Sequence, residues 1–130
     1  MKTQIGHLET VLKALADGTR LRILGLLMAG DICVCDIHDS LKISQPKASR
    51  HLAYLRRAGL VTARREGLWM HYRLAPAADP LIATIQQAVV HVLGHVDAVR
   101  KDNKRLECRT GCAPAPAAGS AYACCTGQCD

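Results

Sequence analysis

Apolar residues near the start of the chain recur at the spacing of a helix, at Leu8, Val11, Leu12 and Leu15. Asp17-Gly18 interrupts this run, and a denser apolar stretch over residues 21–28 follows it and ends at Gly30. A helix that is apolar on most sides belongs in a core. The pattern therefore predicts a short first helix and a second, central helix.

Residues 36–59 carry the pattern of two helices joined by a tight turn. The first is predicted to end near Leu41, and the second spans about residues 45–57, with Ser44 as its N-cap and Gly59 after its end. Its apolar stripe consists of Ala48, Leu52 and Leu55. A step of about 100° per residue places three residues on the opposite face, with His51 flanking them: Lys47, Arg50 and Tyr54. This arrangement is typical of a helix-turn-helix, whose second helix enters the DNA major groove.

Two runs around Glu66-Gly67 predict a β-hairpin. Successive side chains over residues 68–74 alternate in character, as they do when they point to opposite faces of a strand. A two-residue turn containing glycine joins this run to residues 60–65. A hairpin after a helix-turn-helix is the wing of a winged helix, and Arg64 and Arg65 lie where a wing meets phosphates or the minor groove. The fold class is thus mainly α with a β-hairpin wing.

A single long helix is predicted from Asp79-Pro80 to about Arg105. Its apolar residues repeat at alternating spacings of three and four, as Ile82, Ile85, Val89, Val92, Val96 and Val99. So narrow a stripe is typical of a coiled-coil seam, which favours a homodimer through the N-terminal and C-terminal helices. The alternative is packing of this helix on its own domain.

Beyond residue 105 the composition changes to Cys, Ala, Gly and Pro, so we predict a folded domain over 1–105 and a cysteine-rich tail over 106–130.

Positive charge is concentrated in one quarter of the chain. The formal net charge is +6, from 17 Lys and Arg against 11 Asp and Glu, and residues 42–73 hold eight of the basic residues with Glu66 as their only acid. A basic segment on an otherwise balanced chain indicates a polyanionic partner. No run of apolar residues is long enough for a signal peptide or a membrane span, so we expect a cytoplasmic protein without a membrane partner.

The segments LADGTRLRIL, CVCD, SQPKASRHL and GLWMHYRL occur in order and resemble the arsenical-resistance repressors of the ArsR/SmtB family over roughly residues 5–100. This resemblance implies a dimeric winged-helix repressor that leaves a palindromic operator when As(III) or Sb(III) binds as inducer. The residues that it assigns to DNA reading are Gln45, Lys47, Ser49, Arg50 and His51.

The seven cysteines predict a thiolate site for that inducer. Their odd number, without a signal peptide, favours reduced thiols over a disulfide framework. In related arsenic sensors the CVCD box continues to a third cysteine, but His38 stands there in this chain. Cys33 and Cys35 would need a sulfur from elsewhere or serve as buried packing thiols. The stronger candidate site joins Cys108 and Cys112, which are one helical turn apart, to a third ligand, for which we predict Cys124, with Cys125 and Cys129 left open.

Three further functional classes compete with this prediction. A thiol redox switch would use Cys124 and Cys125, or Cys108 and Cys112. A Zn or Cd sensor of the same fold would use His91, His95 and Asp97, but the family's ligand spacing is absent, and the two histidines favour a structural role. No catalytic triad, phosphate loop or Cys-x-x-Cys motif occurs, so neither an enzyme nor a small-molecule substrate is predicted.

Overall fold

The computed structural model describes residues 3–110. Within them the elements follow in the order α1 Gln4–Leu15, α2 Gly18–Leu27, β1 Ile32–Cys33, α3 Val34–Leu41, α4 Gln45–Arg57, β2 Val61–Glu66, β3 Trp69–Leu74, α5 Pro80–Leu93 and α6 Asp97–Thr110. This order of helices followed by a hairpin confirms the predicted winged helix-turn-helix. None of the helices in the described part is both long and apolar enough to cross a membrane.

Polar side chains fix where the helices begin. The Thr3 hydroxyl accepts a hydrogen bond from the Gly6 amide at 3.1 Å, and the Asp17 carboxylate accepts one from the Arg20 amide at 3.0 Å. Ser44 caps α4 as predicted, since its hydroxyl accepts from the amide of Lys47 at 3.3 Å. Each cap satisfies an amide that the first helical turn leaves without a partner.

The core is built around α2, as its dense apolar pattern predicts. Side chains that are almost fully buried come from α2, α3, α4 and the start of β2, namely Ile23, Leu26, Leu27, Ile37, Leu52, Leu55, Leu60 and Val61. The α3–α4 connection turns at Lys42, which has a left-handed backbone with φ of 57°. This turn carries α4 away from α3 and leaves the polar side of α4 facing outward.

The three strands form one antiparallel sheet in the order β1-β3-β2. Thr62 pairs with Arg73 and Glu66 pairs with Trp69 across the hairpin, while Cys33 of β1 pairs with His71 on the other side of β3. The hairpin turn includes Gly67, whose φ of 61° suits glycine. The predicted wing is therefore present, and it is joined by backbone hydrogen bonds to the strand that holds Cys33.

The prediction of one helix from residue 80 to 105 is wrong. The helix ends at Leu93, and the amides of His95 and Val96 bond to carbonyls only three residues back, at 3.0 and 3.1 Å. This tight turn allows α6 to fold back onto α2 and α3. The apolar seam is thereby divided, because Val99 is buried in the domain's own core whereas Val92 is 59% exposed.

The predicted boundary between a folded domain and a tail falls inside α6. The helix continues to Thr110, and Leu106 is buried in the core. Residues 111–130, which include most of the predicted cysteine-rich tail, lie outside the described residues.

Candidate DNA-binding face and thiol site

Helix α4 presents one buried and one polar side. Ala48, Leu52 and Leu55 are completely buried, which confirms the predicted apolar stripe. The residues expected to read DNA lie outside that stripe: Gln45, Lys47 and Arg50 are exposed, and Ser49 and His51 are partly buried. The helix therefore carries its cations on a surface that a DNA groove can reach.

Tyr54 departs from the expectation that it shares this exposed face. Its ring is partly buried, and the guanidinium of Arg20 lies 4.1 Å from the ring centroid, with that of Arg57 at 5.8 Å. Arg20 is itself fixed, because its Nε donates to the carbonyl of Ala14 at 2.7 Å. Tyr54 thus holds α4 against α2 through a cation–π contact.

His51 lies beside the cap of α2. Its Nδ1 lies 3.9 Å from a carboxylate oxygen of Asp17. The backbone amide of Arg20 is the main reason that the pKa of Asp17 is lowered, with smaller effects from the charges of Arg20 and His51. His51 therefore lies next to a carboxylate, at the edge of the basic face.

The two predicted wing arginines have different environments. Arg64 donates through Nε to Asp31 at 2.7 Å and through a terminal nitrogen to Glu66 at 2.9 Å. Hydrogen bonds to these carboxylates, that to Asp31 foremost, raise the pKa of Arg64. Arg65 is exposed, and the one hydrogen bond described for its side chain is from Nε to the carbonyl of Gly67, at 3.3 Å. Arg65 is therefore better able than Arg64 to meet a phosphate.

His71 lies buried beneath this wing. Its Nδ1 is 3.8 Å from Asp31 and its Nε2 is 3.6 Å from Glu66, too far for direct hydrogen bonds. The buried Nδ1 of His71 and Oδ1 of Asp31 have no hydrogen-bond partner. Sequence reasoning did not identify this cluster, because Asp31 is far from the wing along the chain.

The CVCD box places two sulfurs side by side where β1 passes into α3. The Sγ atoms of Cys33 and Cys35 are 2.9 Å apart, and both residues are buried. Burial raises the pKa of the Cys33 thiol; the nearby Asp36 charge acts in the same direction and the Arg109 charge against it. The two sulfur atoms form a compact pair at the first helix of the helix-turn-helix.

Ion pairs fasten α6 to the helices beneath it. Asp102 is fully buried and accepts from Arg22 at 2.7 Å and from Arg105 at 2.5 Å, and its hydrogen bond raises the pKa of Arg22. At the end of α6, Arg109 donates to Asp36 at 2.7 Å and also pairs with Asp39. Apart from the Arg105–Asp102 pair within α6, these contacts join residues 70 or more positions apart, so local sequence patterns carry no signal for them.

The predicted metal ligands are only partly described. Cys108 is exposed on α6, whereas Cys112 and Cys124, as well as Cys125 and Cys129, lie outside the described residues. Cys35 and Cys108 are both disulfide-bonded in the structure. Within residues 3–110, the His, Cys, Asp and Glu side chains form no group of three or more arranged to hold a metal ion.

The histidines weighed for a zinc site lie at the end of α5. The rings of His91 and His95 make an edge-to-face contact with centroids 5.1 Å apart. Asp97 extends into solvent, with its side chain 89% exposed, and forms an ion pair with Arg100 at 3.8 Å. The ring contact is in keeping with the structural role expected for this pair.

Comparison with known proteins gives the family of this fold. Residues 17–63 match the family of bacterial regulatory proteins called arsR. The chain is 42% identical over 92 residues to the arsenic resistance transcriptional regulator ArsR1 of Pseudomonas putida, covering 65% of this chain and 72% of that protein. It is 32% identical over 103 residues to the arsenical resistance operon repressor of Staphylococcus aureus, covering 79% of this chain and 89% of that protein.

Solved structures agree with these sequence matches. HlyU from Vibrio cholerae superposes with a TM-score of 0.60 at 30% identity, covering 71% of this chain and 97% of its own. The homodimeric winged helix-turn-helix DNA-binding domain Mb0332 from Mycobacterium bovis gives 0.58 at 36% identity, covering 72% and 84%. The chain therefore belongs to the arsR family of bacterial regulatory proteins, as a DNA-binding transcriptional regulator with a winged helix-turn-helix.

Proposed function

We propose that this protein is a metalloid-responsive repressor, which binds a palindromic operator as a dimer and dissociates when cysteine thiolates bind As(III) or Sb(III). The observation that carries the proposal is the sulfur pair of Cys33 and Cys35, which lies where β1 passes into α3, the helix before α4. Thiolates select soft ions over Mg or Ca. Relatives of this chain are named as arsenic or arsenical resistance regulators, which supports the same inducer.

Helix α4 supplies the sequence-specific contacts in this proposal. Its face of Gln45, Lys47, Ser49, Arg50 and His51 enters the major groove, while Arg65, with Arg64 beside it, approaches phosphates from the wing. Bidentate arginine contacts to a base edge discriminate between bases, whereas contacts to phosphates fix position. Two protomers related by a two-fold axis would place two such helices on a palindrome.

Replacing Arg50 tests the assignment of the α4 face. Because Arg50 is exposed on that face, Arg50→Ala should weaken binding to the preferred duplex by about 1–3 kcal/mol if the guanidinium meets a base edge. Lys101→Ala, which removes an exposed charge from α6, is the matched control and should leave the affinity near normal. Fluorescence anisotropy of a duplex selected from a random pool measures both. Unchanged affinity for the Arg50 variant would show that α4 is docked differently.

The inducer site is proposed around Cys108. The sequence-predicted set of Cys108, Cys112 and Cys124 remains a proposal, since Cys108 alone of the three is among the described residues. Ion binding and DNA binding must be negatively coupled for repression to be relieved. By linkage, DNA then weakens ion binding by the same factor, typically 1–3 kcal/mol.

Titration of the DNA complex with inducer tests this function. Sodium arsenite or antimonyl tartrate, added to fully reduced protein without oxygen, should release the selected duplex. Zinc and cadmium salts are the comparison for the soft-divalent-metal alternative. A complex that persists at saturating arsenite and antimonyl would refute the proposed inducers.

A thiol redox switch is the second candidate, and one observation favours it. Cys35 and Cys108 are each disulfide-bonded, so oxidised cysteines occur on both α3 and α6. A redox switch would release DNA on treatment with a thiol oxidant and would ignore arsenite in fully reduced protein. The metalloid sensor would respond to arsenite under those same reducing conditions.

A further inference from the structure

We propose that Arg20 is a positioning residue for DNA recognition, which fixes α4 relative to α1 and thereby sets the separation of the two half-sites that a dimer accepts. This inference rests on the proposed function, because it requires two protomers on one palindromic duplex. Arg20 does not belong to the face expected to meet DNA. Its side chain is only 13% exposed and lies where α1, α2 and α4 meet, a region called the Arg20 junction below.

The guanidinium of Arg20 closes the end of α1. Its Nε donates to the carbonyl of Ala14 at 2.7 Å, and its Nη2 donates to the carbonyl of Lys13 at 3.1 Å. Carbonyls in the last turn of a helix have no later helical amide to accept from. Because the planar guanidinium meets both carbonyls at once, its orientation against α1 is fixed.

The position of Arg20 serves the joining of helices more than the stability of its own helix. Arg20 lies in the first turn of α2, where a cation faces the positive end of the helix dipole. The compensating negative charge comes from the carbonyl end of α1 and from Asp17, whose carboxylate lies 3.9 Å from Nη1 of Arg20. Arg20 therefore stabilises the connection between α1 and α2.

Helix α4 contacts the same junction at two points. The guanidinium of Arg20 lies 4.1 Å from the ring centroid of Tyr54. One turn earlier on α4, Nδ1 of His51 lies 3.9 Å from Asp17, the cap residue that accepts from the amide of Arg20 at 3.0 Å. Two contacts one turn apart restrain the rotation of α4 about its own axis. That rotation decides which way the neighbouring Arg50 faces.

The other end of this connection lies on the helix expected at the dimer interface. Helix α1 packs on α2 and α5, and it exposes the apolar side chains of Ile5 and Leu12. The related domain from Mycobacterium bovis is homodimeric. With α1 at the two-fold axis, the path from the axis to each α4 passes through the Arg20 junction. Half-site separation follows from the distance between the two α4 helices, so the junction acts on it once in each protomer.

Five variants of the full, reduced chain test this role. Arg20→Ala removes both connections, and Arg20→Lys keeps the charge without the planar donor pair. Tyr54→Leu removes the aromatic ring, whereas Tyr54→Phe keeps it and is the conservative rescue. Ile23→Val trims a buried side chain of the same helix and is the matched control for a general loss of stability. Thermal unfolding checks the fold of each variant, and sedimentation checks its dimeric mass.

Affinity is then measured on a panel of duplexes that differ only in half-site separation. Each duplex carries the two half-sites of the selected duplex, placed at the selected separation or one or two base pairs closer or further apart. The wild type should prefer the selected separation. In Arg20→Ala and Tyr54→Leu this preference should fall by up to about tenfold, because the junction can penalise a wrong separation only by the contacts that it would lose. Arg20→Lys should be intermediate, and Tyr54→Phe should keep the wild-type preference.

A purely structural role predicts a different pattern. Loss of stability lowers the affinity for every duplex by the same factor, as Ile23→Val should, and leaves the preferred separation unchanged. An unchanged preference in folded, dimeric Arg20→Ala would overturn the positioning role and leave the proposed function standing. Should Arg20→Ala fail to fold, Tyr54→Leu decides by the same criterion. A wild type that binds no duplex, or binds all separations equally, would overturn the proposed binding of a dimer to a palindrome.

Discussion

At the scale of single residues, Gly25 controls how closely α6 approaches α2. A Cβ at this position would lie 2.5 Å from Cγ1 of Val99 and 3.1 Å from its Cγ2. Val99 is buried, so it cannot turn away into solvent. Gly25→Ala should therefore lower the free energy of unfolding by about 1–3 kcal/mol through overpacking, in spite of the better helix propensity of alanine.

Urea denaturation of matched variants tests this contact. Gly18→Ala in the same helix has no atom within 4 Å of the new Cβ and should not be destabilised by a clash. Val99→Ala should cost less in the Gly25→Ala background than in the wild type, because it removes the atoms that clash. Equal stability of Gly25→Ala and the wild type would show that α6 does not pack at this distance.

At the scale of elements, the wing presents two adjacent arginines that should act unequally on DNA. Both arginines are exposed, but Arg64 is bound to the carboxylates of Asp31 and Glu66, whereas the bond described for Arg65 goes to the carbonyl of Gly67. A phosphate would have to displace two carboxylates to reach Arg64. We therefore expect Arg65→Ala to reduce the salt dependence of DNA binding more than Arg64→Ala does.

The slope of log K against log salt measures this difference. Each phosphate contact contributes about 0.9 to the slope, so loss of Arg65 from both protomers should reduce it by roughly 2. Arg64→Ala should change the slope by clearly less. The reverse order would mean that Arg64 leaves its carboxylates on the DNA. Both variants should keep the preference among base sequences, because phosphates carry no base identity.

The elements also show what the sequence could predict and why. Helix α4 and the wing could be predicted because their signals lie within the same short stretch of sequence. These signals include the Ser44 cap and the glycine of the hairpin turn. The break before α6 was not predicted, because apolar spacing continues through it and the ion pairs that dock α6 link residues 70 or more apart. A separation of 33 residues likewise concealed the pairing of Arg64 with Asp31.

At the scale of the whole molecule, one apolar surface is not covered by any element within residues 3–110. Large apolar side chains are exposed on α1 and α5, which pack against each other: Ile5 is 72% exposed, Leu12 50%, Leu81 50% and Val92 59%. A charged or polar residue would be expected at such positions in a monomer. The related domain from Mycobacterium bovis is homodimeric, in keeping with a partner for this surface.

Charged substitutions on this surface should dissociate the dimer and weaken DNA binding together. Leu12→Glu and Val92→Glu each place a carboxylate in the expected interface while leaving the protomer core untouched, because both side chains are exposed. Sedimentation should then give the mass of one chain, and affinity for the selected duplex should fall and depend on protein concentration. Leu68→Glu is the control, since Leu68 is 87% exposed at the wing and outside this surface. A dimer that survives both substitutions would show that the two-fold axis lies on another face. The spacing between the two α4 helices would then also differ from the one expected here.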